Sequence, residues 1–214
     1  MSRSVLIIAG PAWEPIDQVR RITNHSTGAL GSYLAKEFSA HDWEVTLAYG
    51  ESSSVSPPEV TRFLSFSNRE SLETLLAAQS SQTFDLVLML AAVSDFQVRA
   101  IRTDQGELAL GASGKVPTSA GALTLELEPT AKILPQLATW YPSAKRVGWK
   151  YEVEGQQEDT IAAGKRQLQS NQTHACVVNG PAYGPGFHWL VKEIEQSVHI
   201  PTPKDLFDQL IDLI

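Results

Sequence analysis

The sequence has a single cysteine, no run of lysine or arginine, and no apolar stretch long enough to cross a membrane. Each scarcity removes a class of function. Cys176, alone among 214 residues, excludes an internal disulfide and fits a reducing compartment, so a cytoplasmic address is expected. The chain carries 17 Lys and Arg against 24 Asp and Glu, a formal charge of −7. Without a basic stripe, no broad nucleic-acid-binding face is expected. An anion pocket stays open, because a pocket needs only a few well-placed donors. The first apolar run, Val5–Ala9, is too short for a signal peptide or a membrane span. The histidines, His25, His41, His174, His188 and His199, show no metal-ligand spacing with Cys176 or with one another, so no metal ligand is named. The fingerprint G-x-G-x-x-G is missing after the first strand, which speaks against a nicotinamide-dependent reductase. The phosphate loop G-x-x-x-x-G-K-[ST] and the elbow G-x-S-x-G are missing as well.

What is present is a globular composition, 43% hydrophobic and 19% charged, in a chain long enough to bury a three-layer core. Val5–Ala9 is apolar without alternation, the pattern of a strand buried on both faces. Pro11–Thr27 has the composition of a loop. After Gly28, ALGSYLAKEFSA sets Leu30, Tyr33, Leu34 and Phe38 at helical spacing, and EVTLAY is a second strand. That order makes a βαβ unit with parallel strands and a right-handed crossover. VTRFLSF, FDLVLMLAAVSDF, LTLELE, RVGWKY and HACVVNG read as further strands, and SLETLLAA, KILPQLATWY and QEDTIAAGKRQLQ as helices. FHWLVKEIEQSVHI reads as a hairpin and PKDLFDQLIDLI as a closing amphipathic helix. Between Gln97 and Gly121 the pattern changes: QVRAI and ELALGA flank a turn at Asp104–Gly106 and lead into GASGKVPTSAG. This is read as a β insertion with a flexible loop, suited to a lid or an oligomer contact. The expected fold is one α/β domain over residues 1–214, a Rossmann-like three-layer sandwich. Its central sheet is mainly parallel, and the small β insertion spans residues 97–121.

In such a sheet, ligands sit beyond the C-terminal strand ends, where Gly10, Ala91–Asp95, Trp149–Lys150 and Asn179 fall. The loop before the first helix offers unpaired N–H groups and the positive end of a helix dipole, an anion site. Ser26 and Thr27 add hydroxyls there, with plain helix capping as the alternative, and Gly28 allows close approach. Asn24 can donate and accept at once, or simply shape a turn. Arg20 can clamp a phosphate or pair with Glu14 or Asp17. Lys115 stands in a Gly/Ser loop, where lysines are mostly solvated. Lys165 shares helical spacing with Ile161 and Leu168, which turns it toward the buried stripe and an anion. Asp95 follows a buried run closely, favouring a ligand or cation contact over an N-cap. Cys176, within an apolar strand, reads as core.

The stretch EPIDQVRRITNHSTGALG, Glu14–Gly31, resembles the signature of phosphopantothenoylcysteine synthetase, the ligase of coenzyme A biosynthesis: E-P-[IL]-D-x-V-R-x-I-[ST]-N-x-S-S-G-x-M-G. The likeness continues through AAVSDF, the GK of the small loop, VGW and ACVVNG, and it is to the standalone form of that enzyme. The resemblance implies a two-step ligation. The carboxylate of 4′-phosphopantothenate attacks a nucleoside triphosphate, CTP or ATP with Mg²⁺, and pyrophosphate leaves. The amine of cysteine then displaces the nucleoside monophosphate. Carried over by position, Asn24 would hold the reacting acyl group and Lys115 would stabilise developing charge. Arg20, Ser26, Thr27, Gly28 and Asn179 would face the substrate. Gly10, Ala91, Asp95, Thr130, Ala131, Lys132, Ile133, Trp149 and Lys165 would line the nucleotide pocket. The resemblance also implies a homodimer, with Gln97–Ala112 and loops near the site as contacts. Some positions depart from the pattern. Ile8–Ala12 lacks two hydroxyls of the family's T-x-G-[GP]-T loop, KVPT keeps only Lys115 of a bacterial K-x-K-K run, and a second nucleotide lysine falls near Gln169. KVPTSAG is closer to the eukaryotic form, which is associated with ATP. A relative activating another carboxylate and a catalytically silent nucleotide-binding protein are the alternative readings.

Overall fold

A computed structural model describes residues 2–109, 114–193 and 196–214. In chain order, β1 (Ser4–Ala9) leads into a short hairpin, β2 (Trp13–Pro15) and β3 (Arg21–Thr23), and then α1 (Ala29–Ala40). β4 (Glu44–Gly50), β5 (Arg62–Phe66), α2 (Arg69–Ala78) and β6 (Leu86–Met89) follow. An excursion comprises β7 (Phe96–Thr103), β8 (Gly106–Leu108) and β9 (Thr124–Pro129). The chain ends with α3 (Leu137–Trp140), β10 (Lys145–Tyr151), α4 (Gln157–Ser170), β11 (Ala175–Asn179), β12 (Phe187–Val191), β13 (Gln196–Ile200) and α5 (Pro203–Asp212).

The main sheet has the order β13-β12-β11-β10-β6-β1-β4-β5. Its strands from β11 to β5 run parallel, and β12 and β13 add an antiparallel edge. β1 sits inside it because Val5 to Ile8 leave no side chain for water: all four are fully buried. Side chains alternate across the strand. Val5, Ile7 and Ala9 join Leu34 and Phe38 of α1 and Leu206 and Phe207 of α5 in one core. Leu6 and Ile8 join Leu72 and Leu76 of α2 and Leu137 of α3 on the other face. α4 covers that second face further along, through Leu168 against Cys176, Val178 and Leu190. Each such aliphatic or aromatic side chain contributes about 1.5–3 kcal/mol of burial. The expected three-layer α/β fold is therefore the observed one.

Helix ends follow local chemistry. Asn68 and Ser71 form a reciprocal capping box on α2, and Thr202 Oγ1 accepts from the Asp205 N–H ahead of α5. β10 is tied down by the buried Arg146, whose guanidinium donates to the carbonyls of Tyr141, Pro142, Ala144 and Gln172.

Four expectations change. Pro11–Thr27 contains the hairpin of β2 and β3 rather than loop alone. β6 stops at Met89, where its pairing with both neighbours ends, so Ala91–Asp95 is not strand. KILPQLATWY forms only a 3-10 turn at Leu134–Gln136 and the single turn of α3, since Tyr141, which precedes Pro142, leaves the helical region. LTLELE, read as following the insertion, belongs to it: β9 pairs with β7, giving a separate antiparallel sheet of order β8-β7-β9. Residues 110–113 of the expected flexible loop lie outside the described residues.

The crossover through α1 takes the chain from β1 to β4, and α2 brings it back to β6 on the opposite side of β1. Strand order reverses there, which opens a crevice at the C-terminal ends of β1 and β6. α1 approaches this crevice closely because Gly31 lies on β1: a Cβ at Gly31 would sit 2.1 Å from the Ala9 Cβ. Gly31→Ala is expected to cost about 1–2 kcal/mol in denaturant unfolding through that overlap, despite its gain in helix propensity. An unchanged or raised stability would show that α1 is free to shift.

Candidate active site

The crevice holds a cleft of about 780 Å³. One wall is the turn that leads into α1. The Ser26 N–H donates to the Asn24 carbonyl at 3.0 Å, and the Thr27 carbonyl accepts from the Val55 N–H at 3.1 Å. Gly28 begins the helix with φ 77° and no side-chain cap. Its positive φ suits glycine, and a Cβ there would lie 2.1 Å from the Tyr49 hydroxyl, which donates to the Val55 carbonyl at 2.9 Å. The capping alternative holds for Thr27 alone, whose Oγ1 accepts from the Ala29 N–H at 3.2 Å. Leu30 and Gly31, in the first turn, border the cleft, so its wall carries helix N–H groups and the positive end of a helix dipole. The Asn24 side chain is exposed into the same space and makes no hydrogen bond among the described residues.

The floor is Ala91–Asp95. Ala92 is laced to the end of β1, its N–H donating to the Gly10 carbonyl and its carbonyl accepting from the Ala12 N–H, both at 3.0 Å. Thr130 is fastened to this floor: its N–H donates to the Asp95 carbonyl at 2.9 Å and its hydroxyl to the Ser94 carbonyl at 3.1 Å. Arg69, paired with Glu73, holds the Ala131 carbonyl from α2 at 2.9 Å. The far wall is Trp149, Lys150 and Asn179 at the ends of β10 and β11. Trp149 Nε1 and Asn179 Oδ1 are buried there with no partner among the described residues. Lys150 pairs with Glu152 at 2.8 Å.

Gly10, Asn24, Ser26, Thr27, Gly28, Asn179 and Trp149 therefore border one cleft, as do Ala91, Asp95 and all of Thr130–Ile133. Three residues named from the sequence do not. Lys165 is exposed on the outer side of α4, outside the cleft lining. The sheet-facing line of that helix runs through Thr160, Gly164 and Leu168, and a small glycine carries no hydrophobic signal. Arg20 takes its ion-pair alternative. Its Nη1 meets Asp17 at 3.1 Å and its Nη2 donates to the Val116 carbonyl at 3.0 Å. Lys115 is exposed and does not border the cleft, but its neighbours are gripped. The Gln18 N–H donates to the Gly114 carbonyl, and the Val116 N–H donates to Asp17 Oδ2, both at 3.1 Å.

The turn at Ile16–Arg20 thus clamps the backbone on both sides of Lys115. Asp17 is its centre, with a fully buried carboxylate that also accepts from the Val19 and Arg20 N–H groups at 2.8 and 2.7 Å. Burial alone would raise the Asp17 pKa. The backbone donors and Arg20 outweigh it and hold the carboxyl below its ordinary value.

Sequence reasoning named Asp17 only as a partner for Arg20 and missed its hold on the distant Val116 amide, and it missed Arg69, which holds the distant Ala131 carbonyl. It also missed Gln167 on the cleft wall, and it placed Lys150 at a strand end without assigning it a role.

A crevice at a point of strand-order reversal, walled by the N-terminal turn of a helix, is the kind of place at which α/β proteins take small anionic ligands. Lys132 and Lys150, the latter paired with Glu152, border the cleft together with one carboxylate among the described residues, Asp95. The chain belongs to the family described as the DNA/pantothenate metabolism flavoprotein C-terminal domain, which matches residues 1–196. It is 32% identical over 217 residues to the coenzyme A biosynthesis bifunctional protein CoaBC of Thermococcus kodakarensis, covering 99% of this chain and 51% of that protein. The chain spans about half the length of that curated relative. The solved structure of the DNA/pantothenate metabolism flavoprotein from Streptococcus pneumoniae superposes with a TM-score of 0.83 at 21% identity, covering 99% of this chain and 97% of that one. A Cab2 mutant in complex with phosphopantothenate-cysteine superposes at 0.71 and 17% identity, covering 98% and 88%.

Because the folded Asp17 pKa is lowered, its contribution to stability is complete above the ordinary carboxylate value and is lost as pH falls through the depressed one. The stability gap between wild type and Asp17→Asn is expected to close below about pH 4. At neutral pH the Val116 amide of the variant should exchange its hydrogen about tenfold or more faster. Unchanged exchange would mean the clamp is held without the carboxylate.

Proposed function

We propose that the protein joins 4′-phosphopantothenate to cysteine through an acyl nucleotidylate. The observation that carries this reading is that the signature loop Asn24–Gly31 and the distant segments Ala91–Asp95, Thr130–Ile133 and Trp149 border one cleft. That cleft lies in a chain of the pantothenate-metabolism family. The names of the relatives, a coenzyme A biosynthesis protein and a phosphopantothenate-cysteine complex, support it.

In the first step a carboxylate oxygen bonds to the α-phosphorus of the nucleotide and the bond to pyrophosphate breaks. In the second, the cysteine amine attacks the activated carbonyl, loses a proton, and expels the nucleoside monophosphate. Both steps gather negative charge. The N–H groups of the α1 first turn, Ser26, Thr27, Lys132 and Lys150 are placed to offset it. The Asn24 amide holds the acyl oxygen, and Asn179 closes the wall beside it. Mg²⁺ fits as an ion carried in by the nucleotide and held chiefly by its phosphates. Among the described residues there is no cluster of His, Cys, Asp or Glu that could hold a metal, and Asp95 is the only carboxylate bordering the cleft. The role of Lys115, charge neutralisation during activation, rests on the family resemblance alone. So does a homodimer, for which exposed Phe96 and Leu127 on the β7–β9 sheet offer a contact face. A stable monomer in sedimentation would remove it. No helix among the described residues is long and apolar enough to cross a membrane, and a cytoplasmic site of action is proposed.

The test is pyrophosphate release with 4′-phosphopantothenate, Mg²⁺ and either CTP or ATP, with and without cysteine. No release with either nucleotide overturns the reading. Asn24→Ala should slow ligation by about 10²-fold or more while changing stability by less than about 0.5 kcal/mol. Early melting with full activity would make Asn24 a turn former instead. Lys115→Ala should lose nucleotidylate formation by a similar factor with the fold intact, and an unchanged rate removes Lys115 from the chemistry.

A further inference from the structure

Gln167 borders the cleft from α4, and its side chain lies with that of Leu134 over Gly148. Its carboxamide lies over the end of β10, where Nε2 donates to the Trp149 carbonyl at 3.0 Å and contacts Cys176 Sγ at 3.8 Å. The space for it exists because residue 148 is glycine. A Cβ there would come within 2.8 Å of Gln167 Nε2. Both amide hydrogens thus point into the protein. Turning the amide over would set its oxygen against the Trp149 carbonyl oxygen, two acceptors with no proton between them. The orientation is therefore fixed by chemistry. Oε1 is left as an acceptor with no partner among the described residues, and it is not among the buried polar atoms.

A fixed acceptor on a nucleotide pocket distinguishes bases by the group they present. Adenine and cytosine carry an exocyclic amine that donates, whereas hypoxanthine, guanine and uracil carry an oxygen at the same place. An oxo base would leave Oε1 unpaired and set it against another oxygen, a mismatch that hydrogen-bonding sites reject strongly.

We infer that Gln167 is a specificity-determining residue, whose Oε1 accepts from the exocyclic amine of the nucleotide base and so selects amino over oxo bases. The inference rests on the nucleotide-dependent ligation proposed above. It gives one residue that serves adenine and cytosine alike, since each offers the amine beside a ring nitrogen.

The experiment is calorimetric binding, with Mg²⁺, of two matched pairs that differ in amine against oxygen: ATP with ITP, and CTP with UTP. Wild-type protein is expected to bind the amino member of at least one pair about tenfold or more tightly. Gln167→Met, close in shape but without the acceptor, should bring that ratio near one by weakening the amino nucleotide alone. Gln167→Leu serves in its place if the Met variant melts early. Equal wild-type affinity within both pairs overturns the assignment, as does a variant that weakens both members equally and keeps the ratio. If pyrophosphate release proceeds while either of those results is found, the ligase reading stands and only Gln167 falls. If none of the four nucleotides binds, both fall.

Discussion

Everything in this molecule depends on β1 being buried on both faces between β4 and β6. A strand with five apolar residues in succession has no stable place at a sheet edge, so it takes the centre. Once it is central, the right-handed crossover through α1 and the return through α2 must pass on opposite sides. The carboxyl ends of β1 and β6 are then left facing an opening that no side chain of the sheet fills. The helix N-terminus, the laced Ala91–Asp95 floor and the ends of β10 and β11 are all delivered to that one opening by strand direction.

The second layer of organisation is made of backbone ties rather than apolar packing. The turn around Asp17 grips the peptide groups flanking Lys115, Arg69 holds the Ala131 carbonyl, and Thr130 is tied to Ser94 and Asp95. Each tie spans a long interval of sequence and joins a loop to the framework. Loops fixed this way can present N–H groups and side chains in set directions without entering the hydrophobic core.

This division explains what could be read in advance. Buried strands and amphipathic helices announce themselves by periodicity, so the sheet, its layers and the placement of residues at strand ends were legible, as for Val5–Ala9 and Ala29–Ala40. The Glu14–Gly31 signature named the loop that borders the cleft. Charged residues were harder. For Arg20 the sequence left a phosphate and the nearby Asp17 both open, and what decides for Asp17 is non-local, the Val116 carbonyl that takes the other end of the guanidinium. Lys165 was drawn inward by its spacing from Ile161 and Leu168, while the real contact line passes through Gly164, which has no side chain to reveal it. Gln167 carried no signal at all, since an amide on a polar helix gains meaning only when Gly148 lies beneath it. The strand LTLELE was visible as a strand, but its partner β7 was not, because pairing is non-local.

The chain's one thiol has a bearing on its own chemistry. Cys176 is fully buried under α4, and burial pushes its pKa up to about 12, partly opposed by Lys150. At neutral pH it carries almost no thiolate, the form that attacks disulfides. A protein proposed to handle free cysteine thus offers the oxidised dimer of that substrate almost no thiolate with which to exchange. Burial under α4 therefore disfavours a mixed disulfide at the position where the chain's thiol sits.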